Sequence, residues 1–191
     1  QRQLEKGDDG RKYITSVDFA AGESAWADYT VIKVFDYTDE RAYEVFHYRV
    51  KGGDMPIPLQ YKMVEDIYLR FPGKLIIDAS ALGGKNALQF LKHLNPIGLQ
   101  MTSRMKGELL STLKVALDGG QSEKYRRQKV VGDFGEITDN NPDWGNVRLL
   151  NVSESVRELV DYKLDDKKLR TDCVMTIAQA IYFVEYRRPA K

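Results

Sequence analysis

The chain has 191 residues, which is enough for one well-filled domain and short for two. Its 29 basic and 28 acidic residues nearly cancel, so a global field that attracts a polyanion is excluded and such affinity needs local clusters. No apolar run approaches the roughly 18 residues of a membrane span, so no membrane partner is expected.

Residues 1–12 are mostly polar and begin with Gln1 rather than Met, and we interpret them as a linker remnant from a longer protein. Residues 13–191 are predicted to form a single domain. Three β-branched and aromatic runs open it, with a polar turn over 36–41, and they predict an antiparallel meander. The runs cover residues 13–19, 29–36 and 43–50.

The order of elements changes after Pro56 and Pro58, because helical spacing then alternates with short apolar runs. Helices are predicted over 59–71, 86–94 and 105–117, and strands over 75–78 and 97–101. Alternating strands and helices imply parallel pairing with crossovers. A meander followed by a parallel tail is the order of the ribonuclease H-like fold. We therefore predict an α/β fold with a mixed sheet and flanking helices.

Residues 121–150 differ in character, with clustered basic residues followed by glycines and the run Asn140-Asn141-Pro142. We predict a projecting hairpin or long loop there. A helix over 153–162 should follow, with Ser153 as its N-cap. The last helix is predicted to begin at Thr171 or Asp172. The single cysteine, Cys173, lies in its apolar run, so it is predicted to be a small buried residue in a reducing compartment.

Three carboxylates stand at the ends of apolar elements. Asp18 closes the first predicted strand, Asp78 closes the strand over 75–78, and Asp172 opens the last helix. Hard divalent cations select carboxylate oxygens, and a two-metal site for phosphodiester hydrolysis needs several of them. Each acid also has an ordinary structural explanation, since an Asp commonly ends a strand or caps a helix. Only the set of three points to a metal site.

Two other classes of site are not supported by the sequence. The only two histidines, His47 and His93, have no second His or Cys at ligand spacing, which argues against zinc. Gly83-Gly84-Lys85 lacks the upstream glycine of a nucleotide-binding loop. A nucleoside triphosphatase is therefore a poor interpretation of this chain.

Five segments, taken in order, resemble the C-terminal nuclease domain of the large terminase subunit of tailed bacteriophages. They are residues 17–22, 28–32, 76–83, 106–110 and 172–178. The resemblance implies a ribonuclease H-like fold in which Asp18, Asp78 and Asp172 bind two Mg²⁺ or Mn²⁺ ions. Asp18 is expected to bridge the two ions, and Asp28 to assist nearby.

The chain departs from the family pattern at the head of the last helix. The family has two adjacent acids there, whereas this chain has Thr171 followed by Asp172. Asp172 then carries the third ligand role alone, or Asp165 or Asp166 approaches from the preceding turn. Asp172 is preferred because a helix terminus holds a ligand more rigidly than a loop does.

The resemblance implies a metal-dependent endonuclease that cuts concatemeric viral double-stranded DNA during genome packaging in the cytoplasm of an infected bacterium, transiently at the procapsid portal. Its expected partners are an N-terminal packaging ATPase domain of the same parent chain, the portal and the small terminase subunit. DNA contacts should be mostly to phosphates. The candidate contacts are Arg104, Lys106, Lys124, Arg126 and Arg127.

Two alternatives remain open on the sequence. Another ribonuclease H-like enzyme, such as a Holliday-junction resolvase or a transposase core, shares the acids but selects branched or end-specific DNA. A non-catalytic assembly module of a packaging motor would use the acids structurally. Cleavage in millimolar Mn²⁺ and a comparison of linear, junction and hybrid substrates would separate the three.

Overall fold

A computed structural model of the protein describes residues 2–20, 29–39, 41–117, 147–162 and 171–186. The strands in these ranges are β1 (Tyr13–Asp18), β2 (Tyr29–Asp36), β3 (Ala42–Lys51), β4 (Gly73–Asp78), β5 (Ile97–Leu99) and β6 (Val147–Arg148). The α-helices are α1 (Ile57–Arg70), α2 (Leu82–Phe90), α3 (Ser103–Leu117), α4 (Ser153–Asp161) and α5 (Asp172–Tyr186). None of the helices in these ranges is long and apolar enough to cross a membrane.

The six strands form one mixed sheet in the order β5-β4-β1-β2-β3-β6. Strands β1, β2 and β3 pair as an antiparallel meander. Strand β4 pairs parallel to β1, and β5 pairs parallel to β4. The predicted mixed sheet is therefore confirmed. Parallel pairing puts the carboxyl ends of β1, β4 and β5 at one edge of the sheet.

Helices cover both faces of the sheet, and the two faces bury separate apolar cores. Side chains of one face, which include Ile14 and Ile76, pack with Ile177 and Ile181 of α5. The opposite face packs against α1 and α2 through residues such as Val17, Ile77, Val64 and Ala87. Successive strand side chains alternate between these cores, as the period of two requires. Strands buried on both sides read as continuous apolar runs for this reason.

Most predicted elements are confirmed, and the errors lie at their ends. Strand β2 has the predicted bounds, whereas α2 begins at Leu82, before the predicted start at 86. The N-cap prediction for Ser153 is wrong, because Val152 is the N-cap of α4 and makes no side-chain capping bond. The Ser153 hydroxyl instead donates to the Glu154 carboxylate at 2.8 Å. The predicted burial of Cys173 is confirmed.

The segment before β1 is hydrogen-bonded to the sheet and to α1. The Leu4 amide donates to the Val45 carbonyl at 2.8 Å, and the Gly7 amide donates to the Arg70 carbonyl at 2.8 Å. The Arg70 guanidinium donates to the Glu5 carbonyl at 2.6 Å. These bonds fix the segment against the domain. Of the projecting segment predicted over 121–150, residues 121–146 lie outside the described ranges.

Gly84 allows the first turn of α2 to approach the end of β4. A Cβ atom built on Gly84 would overlap the carbonyl oxygen of Asp78. Backbone atoms cannot give way as a flexible side chain can, so only glycine fits here.

The substitution Gly84→Ala should lower the free energy of unfolding by at least about 1–3 kcal/mol, because it forces α2 away from β4. Gly107→Ala in α3 is the matched control, since a Cβ atom added at Gly107 meets no other atom within 4 Å. Replacing a helical glycine in open space should raise stability by about 1 kcal/mol. Urea denaturation followed by circular dichroism measures both, and equal effects of the same sign would contradict the packing argument.

Candidate active site

Asp18 and Asp78 end adjacent strands at the same edge of the sheet. Parallel strands β1 and β4 are in register with Val17 beside Ile77, so the next residue on each strand is one of the two acids. Neighbouring strands lie about 4.8 Å apart. Alternation along each strand puts both acids on the face that carries Ser16 and Ile76, which is the face covered by α5. Both acids are partly exposed.

Asp172 reaches the same edge from the other direction, as the first residue of α5. The hydroxyl of Ser16 donates to Gln179 Oε1 at 3.1 Å, which ties α5 to β1 in the buried core. The amide of Tyr29, the first residue of β2, donates to Asp172 Oδ2 at 3.1 Å. Because β2 is antiparallel to β1, its start lies where β1 ends, with Asp18 beside Val31. The backbone thus brings all three acids to one edge and one face.

The side chains of the three acids do not form a coordination shell in this structure. Across the described ranges, no group of three or more His, Cys, Asp or Glu side chains is placed to hold a metal ion. Asp78 Oδ1 instead accepts the amide of Ser80 at 2.8 Å. Rotation about χ1 moves a carboxylate without moving its strand. The donor type and the shared edge fit a hard divalent cation, and the ligand assignment stays a prediction.

The start of α3 lies beside Asp78. The Ala79 amide donates to the Leu99 carbonyl at 2.8 Å, and the Met101 amide donates to the Ser80 hydroxyl at 2.6 Å. Arg104 follows with its side chain 90% exposed and its Nε 2.9 Å from Glu108 Oε1. Lys106 lies in the same first turns of α3. The remaining predicted residues, Asp28, Lys124, Arg126, Arg127, Asp165 and Asp166, lie outside the described residues.

A buried ionic cluster next to this edge was not predicted from the sequence. Lys33 of β2 donates to Glu44 of β3 at 2.5 Å, and both side chains are 0% exposed. Lys33 also donates to the Ser155 hydroxyl at 2.9 Å, and Glu44 Oε2 accepts the Leu150 amide at 3.1 Å. A lysine inside the apolar run of β2 was the available signal, since a buried cation requires a partner. The sequence did not reveal which acid pairs with it.

A second pair in the cluster lies closer to Asp172. Glu158 of α4 accepts the Cys173 amide at 2.7 Å and the Val174 amide at 3.3 Å. Arg49 Nη2 lies 3.5 Å from Glu158 Oε1, and its guanidinium is stacked 3.5 Å from the centroid of the Tyr29 ring. These contacts join β3, β2 and α4 to the first turn of α5.

Burial shifts the pKa values of the two other reactive groups of this region. It lowers the pKa of His47 to about 3, with the positive charges of Lys33 and Arg49 adding to the effect. Burial raises the pKa of the Cys173 thiol to about 12, with the negative charge of Glu158 adding. His47 is therefore neutral and Cys173 is a protonated, unreactive thiol at neutral pH.

Comparison with known proteins identifies the fold. No protein-family model and no curated protein sequence matches the chain. The crystal structure of the large terminase nuclease from thermophilic phage G20c with bound zinc superposes with a TM-score of 0.66 at 18% identity, covering 93% of this chain and 84% of that chain. The nuclease domain of the Thermus phage P74-26 large terminase gives 0.64 at 17% identity, covering 99% and 88%. The fold is that of a large-terminase nuclease.

Other structures of this fold extend the comparison. The G20c nuclease has also been solved with bound magnesium and with bound cobalt, at TM-scores of 0.66 and 0.65. A large terminase from another thermophilic bacteriophage, in complex with ADP, matches at a TM-score of 0.56 and 13% identity. This chain covers 39% of that longer protein, and 92% of this chain is matched. The predicted ribonuclease H-like fold is thus confirmed.

The buried neutral His47 should make the domain sensitive to acid. Because its folded pKa of about 3 lies below the ordinary 6.5, the unfolded chain binds a proton that the folded chain rejects in this window. Stability that is present above pH 6.5 is then lost as pH falls towards 3, by up to about 1.4 kcal/mol per pH unit. His47→Gln should flatten this part of the profile of unfolding free energy against pH.

The matched control for this prediction is His93→Gln, because the His93 side chain is 54% exposed. Chemical denaturation at a series of pH values gives the slope for each protein. The His93 variant should change the slope less than the His47 variant does. If the His47 variant kept it too, the buried histidine would not be the source of the acid sensitivity.

Proposed function

We propose that this chain is a metal-dependent endonuclease that cuts concatemeric viral double-stranded DNA during genome packaging. One observation carries the proposal: three aspartates from separate elements, Asp18, Asp78 and Asp172, lie at one edge and one face of the sheet. The likeness in fold to large-terminase nucleases supports it. Carboxylates that converge in this way are the ligands a divalent-metal nuclease requires.

The chain's own residues have distinct roles in this proposal. Asp18 sits between the other two acids at the end of the central strand and would bridge two ions, while Asp78 and Asp172 would each hold one. Asp28 would assist from the segment before β2, and Asp172 would act without the second acid of the family pattern. Bound Mg²⁺ or Mn²⁺ would supply an activated water and neutralise charge on the phosphate and the leaving oxygen. Structures of the G20c nuclease with bound zinc, magnesium and cobalt support a divalent-cation site.

The proposed setting is a DNA-packaging motor in an infected bacterium. The longer large terminase that was solved in complex with ADP supports a parent chain that also carries a packaging ATPase. We propose the portal and the small terminase subunit as further partners. Substrate DNA would approach along the edge where α3 begins, because Arg104 and Lys106 lie in the first turns of α3, just after the strand that pairs with β4 at Asp78. We also propose Lys124, Arg126 and Arg127 as contacts to DNA phosphates.

Each of Asp18→Asn, Asp78→Asn and Asp172→Asn should lower Mn²⁺-dependent cleavage of plasmid DNA by more than about 100-fold, beyond the 10–100-fold typical of groups that only orient a metal ligand. The matched control is Asp66→Asn, because the Asp66 side chain is 51% exposed on α1, which covers the opposite face of the sheet. Initial rates of cleavage measure the effect. Full activity of any one of the three variants would remove that residue from the site.

Metal binding has a readout that does not depend on cleavage. A cation that binds the folded state at 100 times its dissociation constant adds about 2.7 kcal/mol of stability. Mn²⁺ should therefore raise the melting temperature of the wild type and of Asp66→Asn by several degrees, and raise that of Asp78→Asn by less. Efficient cleavage of four-way junctions with little cutting of linear duplex would instead favour a resolvase.

Arg104→Ala should weaken the binding of duplex DNA and make it less dependent on salt. Each phosphate contact contributes about −0.9 to the slope of log K against log salt concentration. Loss of one contact should therefore make this slope less negative by about 0.9. Binding is measured in the Asp78→Asn background so that the DNA stays intact. Lys62→Ala on α1 is the control, and an unchanged slope for Arg104→Ala would place the DNA elsewhere.

A further inference from the structure

The first turn of α5 is held by a side chain from another helix. The first amides of a helix have no acceptor within the helix, and a residue just before the helix usually supplies one. Here Glu158 of α4 accepts the amides of Cys173 and Val174, and its side chain is only 7% exposed. A buried carboxylate at this end also interacts favourably with the helix dipole. Glu158 therefore fixes the backbone directly after Asp172.

Arg49 connects this cap to the other side of Asp172. Its Nη2 lies 3.5 Å from Glu158 Oε1, and its guanidinium is stacked at 3.5 Å on the ring of Tyr29. The amide of Tyr29 is the donor to Asp172 Oδ2. Arg49 itself is fixed in the sheet, opposite Val31 of β2. The contacts form a closed circuit from Asp172 through Tyr29, Arg49 and Glu158 back to the start of α5.

We propose that Glu158 and Arg49 are positioning residues that hold the Asp172 carboxylate at the sheet edge for metal binding. The inference rests on the proposed nuclease function, since it assigns a purpose to the position of Asp172. Arg49 lies in the same row of the sheet as Asp18, two strands away, because Val31 is opposite both residues. Arg49 acts through Tyr29, whose amide donates to the Asp172 carboxylate. Glu158 acts through the backbone of the first turn of α5, which follows Asp172 directly.

The pair is poorly designed for stability alone. Within the described residues, Glu158 Oε1 and Arg49 Nε are buried without a hydrogen-bond partner. Buried polar atoms left unsatisfied cost free energy, and a buried ion pair is often no more stable than an apolar replacement. A geometric role explains why the circuit contains charged groups at these positions. Because the pair adds little net stability, variants of Glu158 and Arg49 can test its geometric role apart from its effect on stability.

The Lys33–Glu44 pair provides the comparator. It is fully buried, and its partners are Ser155 on α4 and the Leu150 amide, so it holds α4 and the chain before it. Glu44→Gln should therefore lower the melting temperature and change the metal requirement much less than Glu158→Ala does. Glu154→Gln is the matched control, because Glu154 lies on α4 like Glu158 and its replacement also removes one acid from that helix.

The experiment compares Glu158→Ala, Glu158→Gln and Arg49→Met with the comparator and the control. Two quantities are measured for each: the Mn²⁺ concentration for half-maximal plasmid cleavage, and the hydrogen-exchange rate of the Cys173 and Val174 amides. Loss of a group that orients a metal ligand typically costs 10–100-fold in metal affinity. Glu158→Ala should raise the half-maximal Mn²⁺ concentration by about that factor. It should also accelerate hydrogen exchange at both amides. Glu158→Gln keeps an acceptor oxygen and should fall between Glu158→Ala and the wild type.

The outcomes distinguish the two proposals. An unchanged metal requirement in Glu158→Ala and Arg49→Met, in a wild type that cleaves with Mn²⁺, would overturn the positioning role alone. An equal rise in Glu44→Gln would also overturn it, because the effect would then follow stability. A wild type that neither cleaves nor binds Mn²⁺ would overturn the nuclease proposal, and the positioning role with it. Amide exchange that is unchanged in Glu158→Ala would show that the carboxylate does not hold α5.

Discussion

The burial of α5 against the sheet is the interaction on which the account depends. Helix α5 is apolar on nearly all sides because it packs against β1, β2 and α3 at once, and Ile177 and Ile181 are fully buried. Burial of one such side chain contributes about 1.5–3 kcal/mol. The bond between Ser16 and Gln179 fixes where the helix lies along β1. Asp172 reaches the edge occupied by Asp18 and Asp78 only because the helix is placed in this way.

The buried charges beside α5 have a different role from its apolar packing. Apolar contacts bring the helix to the sheet but allow small shifts, whereas charged hydrogen bonds have directions and specific partners. Lys33 and Glu44 join the two strands to α4, and Glu158 joins α4 to the start of α5. The chain thus combines a non-directional attraction with a few directional bonds near the acids. Such a combination suits a site in which ligands from distant parts of the sequence must meet.

Much of the fold follows from local sequence patterns. Period-two and apolar runs predicted the meander and β4, and the alternation of strands and helices predicted the parallel pairing. The parallel pairing of β1 with β4, which puts Asp18 and Asp78 at one edge, was not predicted from these patterns, which assigned β1 only to the meander. The start of α2 was predicted at residue 86 rather than at Leu82, and Gly84 in its first turn lies in close contact with the Asp78 carbonyl. Local sequence patterns report the tendency of a segment to form a helix or a strand. They carry no information on contacts between segments.

The cap of α5 could not be predicted for a related reason. Ser153 was assigned as an N-cap from its type and position, yet Val152 occupies that place, and α5 is capped by Glu158 from another helix. Capping patterns concern residues next to one another in sequence, whereas Glu158 and Cys173 meet only after α4 and α5 pack. The burial of Lys33 was visible in the sequence as a cation inside an apolar run, but its partner Glu44 depends on strand register. Tertiary contacts decide these features.

The central claim is that Asp18, Asp78 and Asp172 form one cation site. Anomalous diffraction from crystals soaked in Mn²⁺ tests it most directly. The account predicts anomalous peaks within coordination distance of all three carboxylates, with Asp18 between two of them. Peaks at other residues only, or none at saturating Mn²⁺, would contradict the claim.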